Sequence, residues 1–252
     1  MAKHHMKKNK NKAKDQSPYV YQDDKFKGKL QFKNKIQWTE KQKKFIDLVS
    51  NKEVKLIFIK GPAGSSKSIL AVYAALLMLD QKKVSEIMYV RSAVESSESK
   101  MGYLPGTNEE KMAFYNLPFE DKLHELLPSN DVESLKKQQK VTCFSTNFAR
   151  GMSWNAKAII MDEAQNSSRK EIVTILTRLG QFSRCFVLAD PLQTDLAHGK
   201  GGGFEEIFAL FNNEESREKG IYTFEFGEED IMRSELVRYL VKKFNQLPIK
   251  KI

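Results

Sequence analysis

A chain of 252 residues with 40% hydrophobic side chains is long enough for one well-buried core and too short for two large domains. Its formal net charge of +10 does not describe a basic body, because residues 1–35 hold eleven lysines against three aspartates and so carry +8 of it. No apolar run reaches the roughly 18 residues a membrane span needs, the N-terminus lacks the apolar stretch of a secretion signal, and Cys143 and Cys185 do not make a disulfide framework, so a reduced, cytoplasmic protein is expected.

The opening MAKHHMKKNKNKAKDQSP is rich in lysine and asparagine and has little to bury, so it cannot offset its own ordering entropy. Residues 1–35 are expected to form a basic, largely disordered tail. It serves either to solubilise the chain or as a polybasic arm with salt-sensitive attraction to phosphate backbones. A single folded domain is expected over 36–252. Thr39, followed three residues later by Gln42, has the form of a capping box and predicts a helix over 40–49. Strands are then predicted at 55–60, 86–90, 141–145, 158–162, 185–189 and 221–226, with helices at 67–79, 109–127, 169–179, 205–211 and 234–245. Most of the strand segments are apolar throughout, as in KLIFIK and CFVLA, which suits burial on both faces. Their alternation with helices predicts an α/β fold, a doubly wound, mostly parallel sheet with helices on both faces.

The stretch Gly61-Pro62-Ala63-Gly64-Ser65-Ser66-Lys67-Ser68 joins the first predicted strand to the next helix. It follows the phosphate-loop pattern GxxxxGK[ST] except that Ser66 stands at the last glycine. Backbone N–H groups from Ala63 to Ser68, at a positive helix N-terminus, would face the β- and γ-phosphates, and Ile69 belongs to the same nucleotide-binding stretch. Lys67 would neutralise phosphate charge and the Ser68 hydroxyl would sit on Mg²⁺. Serine at position 66 is tolerable only where the backbone is open to an L-residue and the Cβ turns away from the phosphates.

Further along, AIIMDEAQ (158–165) is an apolar strand ending in two carboxylates. Asp162 would hold Mg²⁺ through water, and Glu163 would take a proton from an attacking water. A carboxylate poised there suits hydrolysis rather than phosphoryl transfer to a metabolite. The segment LADPLQ (188–193) also falls at a strand's C-terminal end, where open α/β sheets place their ligands. The Gln193 amide is suited to sensing the γ-phosphate or its water.

A phosphate loop, a DEAQ box and a D-x-x-Q segment in this order are similar to superfamily 1 helicases. The sequence between them resembles the PhoH family of phosphate-starvation-inducible ATPases, through VRSAVE (90–95), GYLPG (102–106), FARG (148–151), LTRLG (176–180) and DIMR (230–233). The resemblance implies a RecA-like P-loop NTPase core, ATP and Mg²⁺ as ligands, and a link to RNA or single-stranded nucleic acid. Besides Ser66, this chain departs from the family pattern at Ala189 and Ser92, where relatives carry glycine and proline. Gln42 stands where relatives have a glutamine that hydrogen-bonds the adenine edge; the alternative is a solvated helix surface. Trp38 either neighbours the base or packs the domain edge.

Superfamily 1 helicases close ATP between two RecA-like domains, the second supplying an arginine, and this chain has room for one. The resemblance therefore implies a homo-oligomer, with a hexamer as the expected size, in which a neighbouring subunit completes the site through Arg150, Arg178 or Arg233. Arg233 leads because it follows a strand and opens the last helix. Arg91 leaves its strand where helicase-like proteins contact nucleic acid. The competing readings are a nucleotide-dependent regulatory module with little turnover and a small-molecule kinase, although no acceptor-binding block is visible.

Overall fold

A computed structural model of the protein describes residues 26–33, 37–91, 108–146, 149, 151–191, 193 and 203–244. In chain order the elements are α1 (Glu40–Ser50), β1 (Leu56–Lys60), α2 (Lys67–Asp80), β2 (Glu86–Arg91), α3 (Asn108–Leu126), α4 (Ser129–Lys137), β3 (Val141–Ser145) and β4 (Lys157–Asp162). There follow α5 (Arg169–Leu176), β5 (Arg184–Ala189), α6 (Phe204–Phe211), α7 (Glu214–Glu218), β6 (Ile221–Glu225) and α8 (Glu235–Phe244). Each predicted strand is present, with ends moved by at most one residue.

The strands form one sheet in the order β3-β2-β4-β5-β1-β6, and every pair is parallel. Side chains alternate between two cores, which is why these strands read as continuous apolar runs. Ile57, Ile59, Ile87, Tyr89, Ala158, Ile160, Phe186 and Leu188 face α1 to α4. Leu56, Phe58, Met88, Val90, Ile159, Met161, Cys185 and Val187 face α5 and α6. The expected α/β architecture, with helices on both faces of a parallel sheet, is the one observed.

Three differences have physical reasons. Helix α4 is absent from the sequence-based expectation because it buries only Val132 and Leu135 of its nine residues, too thin an apolar stripe to register as a period. Helix α5 ends at Leu176, short of the predicted 179, because the Trp154 N–H donates to the Arg178 carbonyl (2.9 Å) and Leu179 bridges to Trp154. The segment 26–33, assigned above to the basic tail, instead lies on the body. Phe26 and Leu30 are buried, the Leu30 N–H donates to Asp80 Oδ1 (2.8 Å), and the Gln31 N–H donates to Asp131 Oδ2 (2.7 Å). Among the described residues no helix is long and apolar enough to cross a membrane.

Candidate functional site

Parallel strands present their C-terminal ends on one edge of the sheet, and the chemistry-bearing residues gather there. Because β5 lies between β1 and β4, Asp190 and Gln193 come between the 61–68 loop and the Asp162–Glu163 pair. A cleft of 880 Å³ runs along this edge, lined among others by Lys67, Ser68, Asp162, Glu163, Gln193 and Arg233.

The loop is held from below and from the side. Lys67 Nζ donates to the carbonyls of Gly61 (2.6 Å) and Pro62 (2.9 Å), and the fully buried Ser65 hydroxyl donates to Pro62 O (2.8 Å). The segment after β6 closes over it: the Phe226 N–H donates to Lys60 O (2.8 Å) and the Met232 N–H to Gly64 O (2.9 Å). Gly64, at φ +81°, has no room for a side chain, since a Cβ there would lie 2.7 Å from Arg233 Cγ. Burial pulls the Lys67 ammonium below the usual lysine range, while the carboxylates of Asp190, Asp162 and Glu163 act against that shift.

Ser66 has φ 65° and ψ 18° and precedes α2 without capping it through its side chain. The slot therefore does impose the left-handed conformation that glycine serves, and serine occupies it under strain. An L-residue in that region costs about 1–2 kcal/mol, against about 0.5–1 kcal/mol of extra entropy loss for glycine. Ser66→Gly is accordingly expected to raise the melting temperature by about 1–4 °C, read by thermal unfolding; an unchanged or lower value would mean that the hydroxyl compensates for the strain.

At the end of β4, Asp162 is buried and accepts three hydrogen bonds. Oδ1 takes the Ser68 hydroxyl (3.0 Å) and the Glu163 N–H (3.1 Å), and Oδ2 takes the Tyr89 hydroxyl. Burial, with the neighbouring Asp162 carboxylate, drives the Tyr89 phenol far above its ordinary value, so it stays a donor. Glu163 is also left-handed (φ 57°, ψ 38°) and starts a short turn over Ala164–Asn166. Its Oε2 accepts from Gln165 Nε2 (2.6 Å). The same Gln165 amide nitrogen donates to Gln193 O (3.1 Å), and Gln165 Oε1 accepts the Asp190 N–H (3.0 Å). Gln165 thus joins the ends of β4 and β5. Ser68 and Asp162 offer hard oxygen donors side by side, a set that fits Mg²⁺.

The other expected residues separate into three groups. Gln42 is fully buried, which removes the solvated-surface alternative. The capping box holds its Oε1 on the Thr39 N–H (3.0 Å), and its buried Nε2 has no hydrogen-bond partner among the described residues while the side chain lines the cleft. Trp38 packs on Tyr73 with ring centroids 5.3 Å apart and also forms part of the wall. Arg233 is at the cleft of its own chain, against Gly64.

Arg178 follows α5 at the opposite edge of the sheet, where it donates to Met152 O (3.4 Å). Arg150 lies outside the described residues, as do Ser92 and most of the VRSAVE, GYLPG and FARG blocks. Arg91 ends β2 in register with Asp162 and Ser145, outside the cleft lining. Sequence reasoning assigned no role to Tyr89 or Gln165. The signal for Tyr89 was a phenol inside an otherwise apolar strand, which has to find a partner when buried.

A model of the PhoH-like protein family matches residues 36–245. The chain is 32% identical to a PhoH-like protein of Mycobacterium leprae over 82% of its own length and 57% of that protein's. It is 31% identical to a PhoH-like protein of Bacillus subtilis over 76% and 58%, and 32% identical to protein PhoH of Escherichia coli over 78% and 54%. The chain thus spans a little over half the length of these curated relatives. Among solved structures, the large terminase of a thermophilic bacteriophage is similar at a TM-score of 0.48 and 12% identity, over 84% of this chain and 50% of that one. With the parallel sheet, the phosphate loop at the end of β1 and a family match that spans the whole described sheet, the chain belongs to the PhoH-like family and has the α/β fold of a P-loop NTPase.

Proposed function

We propose that this protein binds ATP with Mg²⁺ and hydrolyses it, acting in the cytoplasm as a homo-oligomer coupled to RNA or single-stranded DNA. The observation that carries the ATPase reading is the convergence of Lys67, Ser68, Asp162 and Glu163 on one cleft, with the Ser68 hydroxyl on the Asp162 carboxylate (3.0 Å). In this reading residues 36–252, with 26–33 packed on them, are one ATPase domain behind a lysine-rich N-terminal segment.

The roles follow from position. The loop's N–H groups and Lys67 bind the β- and γ-phosphates. Ser68 and Asp162 hold Mg²⁺, which when bound neutralises charge on the phosphate oxygens. Glu163, held by the Gln165 amide, takes the proton of the attacking water, and the same amide contacts the Gln193 carbonyl, so the base and the γ-phosphate sensor move together. The unpartnered Gln42 Nε2 suits an acceptor nitrogen on the adenine edge. Arg233 stabilises charge on the transferring phosphoryl from the same chain, and Arg178 or Arg150 remains for a contact between subunits. Arg91 and the lysine-rich segment are the nucleic-acid contacts in this scheme.

The deciding measurement is phosphate release by the purified protein, with ATP and Mg²⁺, alone and with RNA or single-stranded DNA across a salt series. Turnover raised by either nucleic acid is the expected result. Tight ATP binding without phosphate release in any of these conditions would replace the ATPase by the nucleotide-dependent regulatory module.

A further inference from the structure

Asp162 is gripped from three directions. Two of its donors, the Ser68 hydroxyl and the Glu163 N–H, belong to the nucleotide machinery itself. The third, the Tyr89 hydroxyl on Oδ2, comes from β2, which carries no residue of the cleft lining. Strand register places Tyr89 opposite Ile160, and side chains two residues apart share a face, so Tyr89, Ile160 and Asp162 all point toward the α2–α3 side. There the Tyr89 ring lies flat on Phe119 of α3, with centroids 4.7 Å apart and planes 7° apart. Both rings are buried, at 1% and 2% exposure, and the same stretch of α3 presents Leu117, Pro118 and Asp121 to the cleft.

We propose that Tyr89 is a positioning residue for the cation of the nucleotide site, fixing the Asp162 carboxylate through its hydroxyl and tying that carboxylate to α3 through its ring. The proposal rests on the ATP–Mg²⁺ reading above. A carboxylate held only on Oδ1, by the Ser68 hydroxyl and the Glu163 N–H, would keep more freedom to rock about the Cβ–Cγ bond. The Tyr89 hydroxyl removes that freedom, so the face of Asp162 that meets the cation is set before it arrives. Partners that orient metal ligands in this way typically contribute about 10–100-fold to metal affinity when removed by mutation. The stacked pair adds a second consequence. Any movement of Asp162 on cation binding is passed to α3 through one hydrogen bond and one ring contact, and α3 forms the far wall of the cleft.

A tyrosine that merely filled the core would show itself only in stability. The two roles are separated by measuring the affinity of a fluorescent ATP analogue for the full chain, in EDTA and in MgCl₂. Tyr89→Phe, which keeps the ring and removes the hydroxyl, is expected to leave the affinity in EDTA unchanged and to diminish the Mg²⁺-dependent tightening by about tenfold or more. Phe119→Leu, which keeps the hydroxyl and removes the stack, is expected to weaken the tightening in the same direction and by less. An equal Mg²⁺-dependent tightening in wild type and Tyr89→Phe overturns the proposal, whatever happens to the melting temperature. If circular dichroism shows that Tyr89→Phe does not fold, Phe119→Leu decides, and unchanged tightening in that variant overturns it. Loss of Mg²⁺ dependence in the wild type itself would bring down the ATP–Mg²⁺ reading and this inference together, an outcome distinct from either mutant result.

Discussion

Glu163→Gln is expected to leave ATP bound while slowing phosphate release by about 10²–10⁴-fold, the usual contribution of a positioned general base. The amide keeps the size and much of the hydrogen bonding of the carboxylate but cannot accept a proton at neutral pH. Its Oε atom can still meet the Gln165 amide that now donates to Glu163 Oε2 (2.6 Å), so the turn over Ala164–Asn166 has no reason to rearrange. The left-handed backbone at residue 163 (φ 57°) is strained for glutamate and glutamine alike, so the substitution leaves that cost unchanged. The affected step is therefore the chemical one. The check is a pair of measurements on the same preparation: equilibrium binding of ATP, expected within a few-fold of wild type, and single-turnover phosphate release. Phosphate release at the wild-type rate would remove Glu163 from the base role and shift attention to water held by Gln193.

The fold was readable because its strands are buried on both faces. A segment such as IIM in β4 alternates between two cores, with Ile159 and Met161 on one side and Ile160 on the other, and a strand of that kind needs no polar positions. Its apolar run is then broken only where the chemistry begins, at Asp162. The phosphate loop and the DE pair were legible for the same reason, since each is contiguous in sequence at a strand end. Long-range partnerships were not legible. The 26–33 segment reads as tail because Lys27, Lys29 and Lys33 dominate it, while what holds it are backbone N–H groups meeting Asp80 and Asp131, which leave no local pattern. Tyr89 meets Asp162 from 73 residues away, and only the β2–β4 pairing brings the two together. Gln42 was half legible: its capping-box position was clear, but its burial depends on how α1 packs against α2.

Arg233 lines the cleft of its own chain, which favours an arginine acting within the chain over one delivered across an interface. A single RecA-like core implied an arginine delivered by the next subunit, and Arg233 was the first candidate. Its backbone instead follows Met232, whose N–H is bonded to Gly64 O (2.9 Å), and its side chain lies so close to Gly64 that a Cβ there would clash with it. The β6 exit thus lays Arg233 over the phosphate loop of its own chain. Arg233→Ala is expected to slow hydrolysis by about 10³-fold, the lower end of what such arginines contribute in GTPases, with ATP affinity altered by far less.

Mixing subunits separates the two arrangements. When Arg233→Ala and Glu163→Gln proteins are combined, an arginine acting within its own chain leaves every site defective, so no activity returns. An arginine acting across a head-to-tail interface would leave roughly one site in four intact in an equimolar random mixture, because some Arg233→Ala subunits would receive their arginine from a Glu163→Gln neighbour. The expected result is no recovery. Recovery to about a quarter of wild-type turnover would return Arg233 to the neighbouring subunit's site, and would require the segment after β6 to leave its own Gly64 when the oligomer forms.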